Sequence, residues 1–225
     1  MLSIAAGLAL LSLAQKDGLT LTFSPVGESI YYETFRITET GSDNQSRSAE
    51  ADRTMVYRVT EIKKGRARME VNYTDIKTRA ANDAKGLAED LRSWIDLPTF
   101  EQIVNERGYV ERKDEVRGNR PFFALVLPPP AGTMPDTWNA KLLTPIGSER
   151  SADFRFRFED IDMNGDPTLR ISLSASDKFD KTQVDVSGRV LVTRSGEIRN
   201  GEVKTTILDG DNKTTTVIEY RFRRK

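Results

Sequence analysis

The residues whose types and spacing come nearest to a reactive centre lie in one stretch: Glu159, Asp160, Asp162, Asn164 and Asp166. In Asp162-Met163-Asn164-Gly165-Asp166, carboxylate and amide oxygens recur at alternate positions, the arrangement calcium prefers. Counted as an EF-hand loop from Asp162, the sixth position is Pro167 instead of glycine and the twelfth is Leu173 instead of glutamate, so the loop reads as a polar β-turn. Asp209-Gly210-Asp211-Asn212 reads the same way. Glu159, Asp160 and Asp162 cluster near a strand end, and glycoside hydrolysis needs two acids about 5–9 Å apart. Neighbouring strand residues point to opposite faces, which argues against a shared cleft for Glu159 and Asp160.

Other chemistries are removed by composition. The 225-residue chain has no histidine and no cysteine. Histidine-based triads, papain-like sites, conventional zinc sites, iron–sulfur clusters, disulfides and a lipid-anchored cysteine all go with them. No GxGxxG, P-loop, GxSxG or SxxK pattern is present. Lysine plus arginine and aspartate plus glutamate each number 34, giving zero formal charge. A protein holding nucleic acid by neutralising phosphates is expected to be basic, so nucleic acid is not an expected partner. Trp94 and Trp138, with Tyr31, Tyr32 and Tyr109, are read chiefly as packing residues, with a ligand cleft or partner surface as the lesser reading. No catalytic, cofactor-binding or metal-binding residue is assigned, and no cofactor is expected.

The elements that would carry such residues are mostly strands. Apolar and polar residues alternate in Leu19–Phe23, Met55–Thr60, Ala67–Thr74, Phe154–Phe158, Leu169–Ala175, Val184–Val192, Val203–Ile207 and Ile218–Arg223. Successive strand side chains face opposite ways, so each run has one apolar and one wet face. In Phe154-Arg155-Phe156-Arg157-Phe158 the phenylalanines are expected inside and the arginines outside, on a solvated face; an anion-binding ladder is the lesser reading. Lys64-Gly65, Arg107-Gly108, Asn164-Gly165, Ser195-Gly196 and Asp209-Gly210 mark turns between strands. Such short connections imply antiparallel hairpins. From Asn82 to Asp96 the spacing of Ala84, Leu87, Leu91 and Trp94 or Ile95 predicts a helix over about 83–95, capped by Asn82 or Asp83.

Residues 1–14 form an uncharged, leucine- and alanine-rich run ending in Ser12-Leu13-Ala14. This reads as the apolar region and cleavage site of a secretory signal, although no lysine or arginine precedes it. It falls short of the roughly 20 apolar residues that cross a bilayer, so no stable membrane span is expected. A mature chain beginning near Gln15, without cysteine, suits the bacterial envelope: periplasmic or extracellular.

Residues 15–225 read as a single β-rich domain. Ile103–Glu111 can be laid on Leu191–Arg199, and Tyr57–Gly65 on Phe156–Gly165, in the same order. An internal duplication, with pseudo-halves at about 15–127 and 138–225 joined by a proline-rich connection over 128–137, competes with the plainer reading that hairpins resemble hairpins. Pro128-Pro129-Pro130 cannot join a sheet interior. The expected fold is mainly β: a curved antiparallel sheet or partly open barrel with one short helix.

Leu125-Val126-Leu127-Pro128, then Gly132, then Asp136-Thr137-Trp138, resembles a leucine-proline … glycine-aspartate-x-tryptophan signature of secreted bacterial proteins in families of unknown function. In those proteins it follows a strand, aspartate-x-glycine, strand block, a place taken here by Asn105–Val110. The chain departs by placing Met134 and Pro135 between Gly132 and Asp136. The resemblance implies export and a fold-level likeness to lipoprotein-carrier sheets that wrap a helix or a lipid. Fold alone does not fix function. Three functions follow as expectations. The first is a non-enzymatic envelope protein binding an unknown macromolecular partner. The second is a carrier of a lipid or other hydrophobic small molecule, and the third a hydrolase working through acids alone.

Overall fold

The computed structural model describes residues 27–108, 110–113, 127–128, 134–143, 151–162, 168–193 and 196–225. The leader over 1–14, the strand at Leu19–Phe23, the turn at 163–167, Tyr109 and residues 129–133 lie outside them. Eleven strands form one antiparallel, unclosed, curved sheet. They are β1 (Glu28–Thr40), β2 (Ser46–Lys63), β3 (Arg66–Ala80), β4 (Phe100–Asn105), β5 (Val110–Lys113), β6 (Thr137–Leu143), β7 (Ser151–Asp162), β8 (Thr168–Phe179), β9 (Thr182–Thr193), β10 (Ile198–Asp209) and β11 (Thr214–Arg224).

The spatial order is β5-β4-β3-β2-β1-β11-β10-β9-β8-β7-β6. One meander runs outward from the centre and a second runs back inward from the opposite edge. The first and last strands therefore pair in the middle, with Phe35 opposite Tyr220 and Ile37 opposite Ile218. The stretches that match in sequence occupy hairpins: β2–β3 and β7–β8 for one pair, β4–β5 and β9–β10 for the other. Lys64 (φ 50) and Gly65 (φ 71) make the two-residue β2–β3 turn, whose positive φ values match the twist of the strands. Leu127 is buried and exchanges backbone and side-chain hydrogen bonds with Arg107 at 2.7 and 3.0 Å, while Pro128 lies in no strand.

The inward rows read from the sequence are the inner face. Phe154, Phe156 and Phe158 of β7, Leu169, Ile171 and Leu173 of β8, and Ile218, Tyr220 and Phe222 of β11 are all buried in one core. Curvature has a local cause in β9 and β10. A Cβ on Gly188 would stand 2.6 Å from the Glu202 carbonyl oxygen, and one on Gly201 2.6 Å from Cζ of Phe222. Only glycine lets these strands bend so closely over the inner side.

The helix α1 (Lys85–Ile95) follows a 3-10 turn at Asn82–Ala84 and packs on β2 and β3. Leu87, Leu91 and Ile95 face the sheet, and Trp94 is 37% exposed. Neither Asn82 nor Asp83 caps it by a side-chain hydrogen bond; the 3-10 turn moves the helix start to Lys85 and leaves both outside it. No helix among the described residues is long and apolar enough to cross a membrane.

Candidate functional site

Beneath α1, the inner face changes character. Along β1 the inward positions are Tyr31, Glu33, Phe35 and Ile37; along β2 they are Ala49, Ala51, Arg53, Met55 and Tyr57. Glu33 and Arg53 stand directly opposite each other across the β1–β2 ladder. Their side chains are each only 1% exposed. Nε of Arg53 donates to Oε2 of Glu33 at 2.5 Å, and the hydroxyl of Tyr220 on β11 donates to Oε1. Both carboxylate oxygens thus have donors. The guanidinium lies 3.7 Å from the ring centroid of Tyr73 and 5.0 Å from that of Phe35, inside cation–π range.

The second arm of Arg53 leaves the sheet. Its NH1 donates to the backbone carbonyl of Ile95 at 2.6 Å. That carbonyl belongs to the last turn of α1, where helix carbonyls lack internal partners and a cation is favoured. Burial is the largest influence and works against the charge of Arg53, but Glu33, Tyr73 and Tyr220 together outweigh it and the guanidinium holds its proton more tightly than usual. Burial also raises the phenols of Tyr57, Tyr73 and Tyr220 well above their ordinary range. Tyr31 is pushed up to about 12, chiefly by burial, with Arg224 opposing and Glu197 adding to the shift. Its hydroxyl donates to the Ile198 carbonyl at 2.9 Å, beside the ion pair of Arg224 with Glu197.

Among the described residues, the chemistry candidates read from the sequence do not meet here; the side chain of Asp162, with Asn164 and Asp166, lies outside them. Glu159 pairs with Arg189 at 2.9 Å and Asp160 with Arg170 at 2.7 Å. Both acids face outward, which corrects the expectation of opposite faces. A β-bulge between Phe158 and Asp160 inserts the extra residue that breaks the alternation. Asp209 closes its own turn: one carboxylate oxygen accepts from the Asp211 and Asn212 amides, at 2.9 and 3.3 Å, and the other from the Asn212 side chain at 2.6 Å. The hydrogen bond from the Asn212 side chain, then those from the backbone amides, lower its pKa. Trp138 stacks on Phe156 at 5.5 Å inside the core, Tyr31 is also internal, and Tyr32 lies on the outer face. These aromatics line no common cleft.

Glu33 and Arg53 were not singled out by the sequence reading. The signal for them was parity: extending the β2 alternation back from Met55 places Arg53 on the apolar face, and Tyr31-x-Glu33-x-Phe35 does the same for Glu33.

No family model and no curated protein matches this sequence. Two solved structures are similar at a low level. One is DynF from the dynemicin biosynthesis pathway of Micromonospora chersina, with 8% identity, a TM-score of 0.25, and 91% of this chain and 83% of that chain covered. The other is a LolA superfamily protein from Nitrosomonas europaea, with 11% identity, a TM-score of 0.21, and 96% and 92% covered. Similarity at this level carries no argument about fold or function.

Proposed function

We propose that this chain is a non-enzymatic, exported binding protein that takes up a hydrophobic ligand between α1 and the concave face of its sheet. One observation carries the reading. The inner face is mostly apolar across an unclosed sheet, and among the described residues the 11-residue helix α1 packs chiefly on two of its strands, β2 and β3. A concave, mostly apolar surface with a few fixed polar groups is the usual form of a small-molecule site. The core side chains are already buried, so entry of a ligand requires α1 to move from the sheet. The Arg53–Ile95 hydrogen bond is the polar tie that such movement breaks. Glu33, the buried carboxylate of this region, has both oxygens engaged by donors, which suits anchoring more than proton transfer.

Native mass spectrometry of the protein recovered from the envelope of an expressing bacterium tests both halves of this proposal. A mass beginning near Gln15, with a releasable apolar adduct, is the expected result. Retained Met1 removes export. A ligand-free protein that also fails to bind N-phenyl-1-naphthylamine saturably removes the carrier role. A second reading, recruitment of a macromolecule by β-addition, draws on the unclosed sheet, in which β6 has a strand neighbour on one side only among the described residues. Protein crosslinks at Thr137–Leu143 in a ligand-free chain favour it.

A further inference from the structure

The outer face of the sheet carries a second feature, independent of the concave one. Phe154, Phe156 and Phe158 point inward, so Arg155 and Arg157 of β7 point to solvent on the same side. In register, Arg157 lies between Thr137 and Ser172, and Arg155 between Asn139 and Ser174; Ser187 stands beyond Ser174. These neighbours are small. The surface there dips into a hollow of about 640 Å³, lined by Arg155, Arg157, Ser172, Ser174 and Ser187 among others. Asp136 lines one end of it.

Several other arginines of the outer face meet acids: Arg36 with Glu50 at 3.8 Å, Arg58 with Glu28 at 3.0 Å, Arg170 with Asp160 at 2.7 Å, Arg189 with Glu159 at 2.9 Å and Arg221 with Glu202 at 3.9 Å. Arg223 instead lies over the Tyr32 ring at 5.8 Å. Arg155 and Arg157 make no ion pair with any described residue. Two residues apart on one strand, they stand about 6.5–7 Å from each other along the backbone, and an anion between them relieves their repulsion. A carboxylate is satisfied by one guanidinium fork. A phosphate has more peripheral oxygens, enough for two forks and the hydroxyl of Ser174, while that of Ser172 donates to the Arg157 carbonyl at 3.5 Å.

We propose that this hollow binds a phosphate group, gripped by Arg155 and Arg157. The group is either that of a soluble phosphate ester or that of a phospholipid headgroup, and two probes separate the sources. Full-length mature protein is titrated calorimetrically with sn-glycerol 3-phosphate at fixed ionic strength, and co-sedimented with vesicles of phosphatidylglycerol or of phosphatidylcholine. Binding of the soluble ester supports recognition of the phosphate alone; binding only to phosphatidylglycerol vesicles supports the headgroup. In either case Arg155→Gln/Arg157→Gln is expected to bind about 30-fold more weakly, roughly fivefold per arginine. Arg155→Lys/Arg157→Lys, which keeps the charge and loses the forks, is expected to fall between. Arg221→Gln, removing a paired arginine on the same face, is expected to bind as the unaltered chain does. Absence of binding to both probes overturns the proposal, as does a double glutamine variant that binds normally or an equal loss in Arg221→Gln.

Discussion

Two regions of the same inner face are built on different principles. Under β7–β9 it is filled by Phe154, Phe156, Phe158, Ile171, Val186 and Val190, with no buried charge among the described residues. Under α1 it holds Glu33 and Arg53, each hydrogen-bonded, with Tyr73 and Tyr220 against them. The apolar region is set by shape and volume, and other close-packed apolar fillings would serve it nearly as well. The polar region is directional. Arg53 reaches Glu33 on β1 and Ile95 on α1, and Glu33 reaches Tyr220 on β11, so one pair of charges fixes the relation of three strands and the helix. Apolar burial makes the sheet cohere; the ion pair determines where the helix sits on it.

The largest expected effect breaks that polar region. Arg53→Ala leaves the Glu33 carboxylate buried without its cation and is expected to cost about 3–5 kcal/mol in urea unfolding. Phe156→Ala in the apolar region is expected to cost a similar amount, about 3–5 kcal/mol, through the cavity it leaves. What separates the two regions is rescue. Glu33→Leu combined with Arg53→Met removes both charges, so the double variant is expected to be more stable than Arg53→Ala. The recovery is partial, because the Tyr220 hydroxyl and the Ile95 carbonyl each lose a partner at about 1–3 kcal/mol. A double variant no more stable than Arg53→Ala would remove the buried ion pair as the organising element.

How much of this the sequence carried differs between the same two regions. The apolar rows of β7, β8, β9 and β11, their antiparallel pairing and the position of the helix were all legible, because alternation and glycine turns are local signals. Arg53 and Glu33 were legible in principle, since each falls in phase with an apolar row. A charged residue ends an apolar run by type even where it continues the run by position, and that hid both. The bulge at Phe158 and Asp160 was not legible, because one inserted residue changes facing without changing composition. Nor was the central β1–β11 seam: hairpin signals name neighbours in sequence, and this pairing joins Tyr31 to Arg224 across almost the whole described chain.

Alkaline pH sharpens the contrast without any substitution, since the tyrosines cluster near the ion pair. Burial first of all raises Tyr31 to about 12 and lifts Tyr57, Tyr73 and Tyr220, while an unfolded tyrosine ionises near 10. Below pH 10 both states keep these protons and the full stability is present. Above it the unfolded chain releases protons that the folded chain retains, so stability falls as pH rises, by about 1.4 kcal/mol per pH unit for each tyrosine so held. The urea midpoint is expected to drop steeply above pH 10, with phenolate absorbance at 295 nm appearing together with unfolding. If all six tyrosines ionise near pH 10 while the sheet's circular dichroism persists, this tyrosine cluster is not buried as described.

The smallest expected effect comes from the residue next to Arg53. Asp52 points the other way and pairs with Arg79 on the outer face, where the two side chains are 37% and 60% exposed. The chemical types match those of Glu33 and Arg53, an acid and an arginine on adjacent strands. Water, however, solvates both charges on the outer face before and after the pair is broken. Arg79→Ala is therefore expected to cost about 0–1 kcal/mol, and that small difference should shrink further in 1 M salt. The cost of Arg53→Ala should change little with salt, because ions do not reach a pair that is 1% exposed. Equal salt dependence at the two positions would mean that the face a strand residue occupies does not govern these ion pairs. A flat response at Arg53 beside a fading one at Arg79 would place the whole difference in one step of strand parity.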